Sequence, residues 1–175
     1  MLDPFKVTRL WFSPNLAGIV RSIAFSHDGK IIAGGAGFPP TVYLLDAETG
    51  AEVAGLTGHE GQVNSVAFSL DGRMLASGSA DGTIKLWDIT GSSAARTLEG
   101  HTADVNGVAF NPNGETVASA SADGTVRLWH LNTGAELWVS GAGEASVNAV
   151  AFSPDGLTLA TGSDDATVRL WDVAR

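Results

Sequence analysis

Val63 to Asp88 reads VNSVAFSLDGRMLASGSADGTIKLWD. Apolar side chains at Val63, Val66 and Phe68 follow an approximately alternating pattern, so the segment opens as a strand. Asp71-Gly72 then turns the chain, because glycine enters positive φ without steric cost. Met74 to Ser79 reads as a second strand and Asp81-Gly82 as a second turn. Thr83 to Asp88 reads as a third strand, rich in β-branched and aromatic residues. A fourth, less regular strand is expected near Ala94–Leu98. Helical periodicity is absent.

The same reading recurs along the chain. From Val105 the sequence is VNGVAFNPNGETVASASADGTVRLWH, and from Val147 it is VNAVAFSPDGLTLATGSDDATVRLWD. A weaker copy starts at Val20, VRSIAFSHDGKIIAGGAGFPPTVYLLD. The four valines stand 43, 42 and 42 residues apart. Further fourth strands are expected at Ala51–Leu56 and Ala135–Val139. Four short antiparallel strands in each repeat of roughly 42 residues is the spacing of β-propeller blades. The predicted fold is therefore all-β, a single propeller unit of four blades with four antiparallel strands each. Its expected parts are a closing strand at 6–12, blade one at 19–56, blade two at 62–98, blade three at 104–139 and blade four at 146–173. Trp11 precedes Val20 by nine residues, as Trp138 precedes Val147, so Trp11 is expected on an outer fourth strand.

Composition narrows the function classes. The 175 residues are 44% hydrophobic and 17% charged, as in folded globular chains. A net charge of −9 disfavours nucleic acid and anionic membranes as partners. There is no cysteine, which excludes disulfides and thiol catalysis. No apolar run approaches the roughly 18 residues of a membrane span. The first residues, MLDPFKVTRLWFS, lack the pattern of a signal peptide, and a soluble cytoplasmic protein is expected.

Gly58-His59 and Gly100-His101, each followed 28 residues after the His by Trp87 or Trp129, resemble the WD-repeat family over about residues 6–175. The resemblance implies a hydrogen-bonded His, Ser or Thr, Asp and Trp tetrad in each regular blade. Blade two supplies His59, Ser77, Asp81 and Trp87, and blade three supplies His101, Ser119, Asp123 and Trp129. Blade four supplies Thr161, Asp165 and Trp171, with Gly143 in place of His. Blade one has Leu16, Gly34 and Leu45 there and no tetrad. These groups are expected to be structural, since buried polar atoms must find partners. A Ser-His-Asp catalytic reading lacks an oxyanion site. No catalytic, cofactor-binding or metal-binding residue is expected. His27 and His130 read as isolated turn residues. Asp164-Asp165 lacks a calcium-loop pattern, and Gly34–Gly37 lacks the helix of a phosphate loop.

The resemblance further implies ring closure by the N-terminal strand, which completes the final blade. The last repeat stops after a third strand at Trp171-Asp172-Val173, so the ends complement each other. A homodimer is expected, forming an eight-bladed ring by exchanging the closing strands. Partner proteins or peptides are expected on the face carrying Arg21, Gln62, Asn64, Asp104, Asn106, Ser146, Asn148 and Asp164. That face reads as polar and without an aromatic anchor, and its asparagines could equally serve their own turns. The leading function is a non-enzymatic protein-interaction or assembly scaffold. The alternatives are an amplified or engineered propeller fragment without a ligand, and a propeller hydrolase.

Overall fold

The computed structural model describes Trp11 and residues 16–91, 96–141 and 143–173. Its elements are β1 (Val20–Phe25), β2 (Ile31–Ala36), β3 (Thr41–Asp46), β4 (Glu52–Thr57), β5 (Val63–Phe68), β6 (Met74–Ser79), β7 (Ile84–Asp88), β8 (Arg96–Leu98), β9 (Val105–Phe110), β10 (Thr116–Ser121), β11 (Thr125–His130), β12 (Glu136–Gly141), β13 (Val147–Phe152), β14 (Thr158–Ser163) and β15 (Val168–Asp172). They form antiparallel meanders, β1–β4, β5–β8, β9–β12 and β13–β15. The four repeats are thus four propeller blades, as the sequence predicts. The expected closing strand at 6–12 lies, apart from Trp11, outside the described residues. Blade four has three strands among the described residues.

Each blade begins with the same irregularity. Val63 pairs with Ser79 but Ser65 with Gly78, which leaves Asn64 as an extra residue in the ladder. Arg21, Asn106 and Asn148 are the extra residues of their own first strands. Such a bulge bends the strand and re-aims one side chain out of the regular pleat.

Blades stack through their first strands, with β1 on β5, β5 on β9 and β9 on β13. Each seam is one apolar cluster. Between blades one and two, Ala33, Val42 and Leu44 meet Val63, Val66, Leu75 and Trp87. Between two and three, Ala76, Ile84 and Leu86 meet Val105, Val108, Val117 and Trp129. Between three and four, Ala118, Val126 and Leu128 meet Val147 and Leu159, with Trp171 packed against them. Every blade therefore has a front face, led by the third-strand Val or Ile and Leu, and a back face that carries the Trp in blades two to four and Leu45 in blade one.

The two outermost faces have no such cover. Val168 and Leu170 are 76% and 71% exposed, whereas their repeats Val126 and Leu86 are 0% and 1% exposed. On the back of blade one, Ile23 and Phe25 are 68% and 61% exposed. Its outer part is covered by Trp11 and Leu16, which pack on Tyr43, Leu45 and Ala36.

Leu86→Ala is expected to cost about 2–5 kcal/mol in urea denaturation, the range of buried leucine truncation. Leu170→Ala, at concentrations where the chain is monomeric, is expected to cost less than about 0.5 kcal/mol.

Candidate functional site

The polar groups that the sequence singles out fall into two sets. The first lies buried within blades two and three. In blade two, Trp87 Nε1 lies 2.8 Å from Ser77 Oγ, His59 Nε2 lies 2.8 Å from the same oxygen, and His59 Nδ1 lies 2.9 Å from Asp81 Oδ2. In blade three the corresponding distances among Trp129, Ser119, His101 and Asp123 are 2.8, 2.7 and 2.9 Å. The proton positions follow by elimination. Indole only donates and carboxylate only accepts. The serine therefore accepts from Trp and donates to His Nε2, and His Nδ1–H donates to Asp.

Electrostatics agree with that order. Burial holds the His59 and His101 imidazoles below their ordinary pKa, outweighing the neighbouring carboxylates that pull the other way. They are neutral at pH 7, so each His–Asp contact is a neutral donor on a carboxylate. Burial would raise the Asp81 carboxyl, but the Thr83 hydroxyl, the Glu60 and Thr83 amides and His59 outweigh it. Asp81 therefore stays well below the usual carboxylate range, as does Asp123 for the equivalent reasons. Neither serine is a free nucleophile, since both are fully buried and held by two partners.

Blade four keeps part of this network. Trp171 Nε1 donates to Thr161 Oγ1 at 3.0 Å. With Gly143 in the histidine's place, Asp165 instead accepts from Arg169 Nη2 at 2.6 Å. Blade one carries none of it, and there the Ala17 amide donates to the Tyr43 hydroxyl at 3.2 Å. His130 accepts from the Thr133 amide at 3.2 Å, taking the turn role that Asp46 has in blade one. His27 is exposed.

The second set lies at the bulges and crosses the seams. Asn64 Nδ2 donates to the Val105 carbonyl at 3.3 Å. Asn106 Nδ2 donates to the Val147 carbonyl and to Ser146 Oγ, each at 3.1 Å. With its amide oxygen facing the guanidinium, Gln62 accepts from Arg21 Nη2 at 2.9 Å. Arg21, Asn64 and Asn106 thus reach the following blade rather than their own turns. Asn148 donates to the Asp164 side chain within blade four. Asp104 is exposed beside Val105.

The sequence reading missed an apolar element on this face. The β2–β3 connection of blade one presents Phe38 at 71% exposure, beside exposed Ile19. The backbone of Gly18 lies so close to Phe38 that a Cβ would sit 2.7 Å from its carbonyl oxygen. The Gly37 amide donates to the Ile19 carbonyl at 3.1 Å, and Gly37 lies against the Gln62 side chain, so this connection borders the polar residues of that face. Its trace in the sequence is the insertion Gly37-Phe38-Pro39-Pro40, which stands where the other repeats have the Asp turn. A cavity of about 380 Å³ opens elsewhere, at the rim between blades three and four, lined by Leu137, Trp138, Trp171 and Val173 among others.

Among the described residues, no group of three or more His, Cys, Asp or Glu could hold a metal ion. Among the same residues, no helix is long and apolar enough to cross a membrane.

Four-stranded meanders stacked through their first strands, with buried tetrads, define a β-propeller of the WD-repeat type. A family model described as the IFT122 first beta-propeller matches residues 19–175, and the chain belongs to that family. No curated protein matches the chain.

Ser119→Ala strands the Trp129 indole and the His101 ring, so it is expected to cost about 2–3 kcal/mol in urea denaturation. Thr161→Ala strands only the Trp171 indole, which is partly exposed, and is expected to cost about 1 kcal/mol. Because folding depresses the pKa of His59 and His101, their contribution is complete above about pH 6.5 and is lost on acidification, when the unfolded chain binds protons first. The thermal midpoint is expected to fall between about pH 7 and pH 5, and His59→Gln/His101→Gln should flatten that slope.

Proposed function

We propose that the chain is a non-enzymatic assembly and protein-interaction scaffold, and that it acts as half of an eight-bladed propeller completed by a second copy. The observation that carries this reading is the pair of exposed end faces. Val168 and Leu170 on one, and Ile23 and Phe25 on the other, repeat the residues that interior seams bury. Contiguous apolar patches of this kind mark association surfaces in soluble proteins.

Trp11 supports the exchange of strand 6–12 between copies. Its Nε1 donates to the Ala47 carbonyl at 2.9 Å, directly after the third strand of blade one. Arg96, also nine residues before a repeat valine, donates at 2.9 Å to Leu131, directly after the third strand of blade three. Trp11 thus stands toward blade one as an outer strand of a preceding blade would. In the ring, strand 6–12 pairs with the outer edge of β15. In the register of blade three, where Leu128 faces Trp138, Trp11 lies opposite Leu170 of the other copy.

Other proteins or peptides, in a cytoplasmic setting, are proposed to dock on the face of Arg21, Gln62, Asn64, Asp104, Asn106, Ser146, Asn148 and Asp164. Phe38 and Ile19 supply the apolar anchor there. The hydrolase alternative is disfavoured because Ser77 and Ser119 are buried and doubly bonded.

Light scattering is expected to give twice the 18.0 kDa mass of the chain. Deletion of Met1 to Ser13 is expected to abolish association and lower the thermal midpoint. A wild-type species of 18.0 kDa at every concentration overturns the proposal.

A further inference from the structure

The interior seams share one polarity. The front face of each blade meets the back face of the next, and the bulged residue of the first blade reaches across. Arg21 does so to Gln62, Asn64 to the Val105 carbonyl, and Asn106 to Ser146 and the Val147 carbonyl. In the first two seams a second bond accompanies it. The Val66 amide donates to Ser22 Oγ, and the Val108 amide donates to Ser65 Oγ, both at 3.1 Å. The repeats of these serines in blades three and four are Gly107 and Ala149, so the third seam relies on the bulged asparagine.

Asn148 is the bulged residue of blade four, and its side chain turns back to Asp164. The apolar residues around it repeat an interior seam by type. Val168 and Leu170 match Val126 and Leu128, which pack against Val150 and Phe152 of blade four. The back of blade one offers Ile23 and Phe25 at those last two positions. A like-to-like pairing of two front faces would set Leu170 against Leu170 and leave Asn148 no repeat-valine carbonyl to meet.

We propose that the second copy seats head to tail, with the exposed front of blade four in one chain covering the exposed back of blade one in the other. Asn148 donates to the Val20 carbonyl of the incoming copy, in the register that Asn64 and Asn106 show. This rests on the half-ring reading and adds to it which faces meet and which bond fixes their register. Charge favours the same arrangement. Consecutive bulged residues are neighbours, with Asn106 Nδ2 3.4 Å from Asn148 Oδ1. The incoming Arg21 therefore arrives beside Asn148 and its partner Asp164, a cation against a carboxylate.

The experiment pairs two variants, Phe25→Asp and Leu170→Asp, each at a side chain exposed in the single chain. Circular dichroism confirms that each folds, and native mass spectrometry reads association. Head-to-tail seating makes each variant monomeric alone, because every seam contains the altered face. An equimolar mixture then forms a one-to-one heterodimer through its one intact seam. A variant that still dimerises alone, or a mixture no more associated than its components up to the solubility limit, overturns head-to-tail seating. A monomeric wild type would instead remove the half-ring reading itself. Asn148→Ala removes one such bond from each of the two seams and is expected to raise the dimer dissociation constant about thirtyfold, the equivalent of two net hydrogen bonds of about 1 kcal/mol. An unchanged constant overturns the proposed register.

Discussion

A propeller blade is a sheet with two apolar faces, and it is stable only when both are covered. Three seams in this chain meet that requirement through valine, leucine and tryptophan at repeating positions. The requirement cannot be met at the two ends of a four-blade arc unless the arc closes or another surface arrives. At about 25 cal/mol per Å² of apolar surface, two uncovered faces are a substantial driving force for association. The exposed Val168, Leu170, Ile23 and Phe25 therefore bear on function as well as on packing.

Within this arc each complete tetrad ties the second and third strands to the turn between them and to the segment before the first strand. A third-strand tryptophan donates its N–H to a buried hydroxyl, the hydroxyl donates to histidine, and histidine donates to an aspartate at the turn. The chain is complete in blades two and three, reduced in blade four and missing from blade one. The incomplete blades are the two with an exposed face. They lack the internal bracing of their neighbours, so a packed partner surface would add most to their stability.

The repeat, the turns and the tetrads were legible because each depends on local residue type at fixed spacing. Gly72 and Gly82 mark turns, both at positive φ, and His59 and Trp87 keep their distance along the chain. The bulge was also written in the sequence, since Val63, Val66 and Phe68 are spaced three and then two, against a strict period of two. That offset alone does not say where the side chain of the extra residue goes. The bonds of Asn64 and Asn106 to a carbonyl some 40 residues away arise only once two sheets stack. Phe38 was illegible for a different reason, because an irregular insertion carries no periodicity from which exposure can be read.

Backbone hydrogen exchange offers the most direct test that a second copy covers the open end. The amides of Val168 to Asp172 and of Val20 to Phe25 would be followed as protein concentration is raised. Completion of the ring predicts that protection there climbs with concentration toward the level of Ile84 to Asp88 in an interior blade. Exchange that stays fast and independent of concentration at both ends, while the interior blades remain protected, would contradict it.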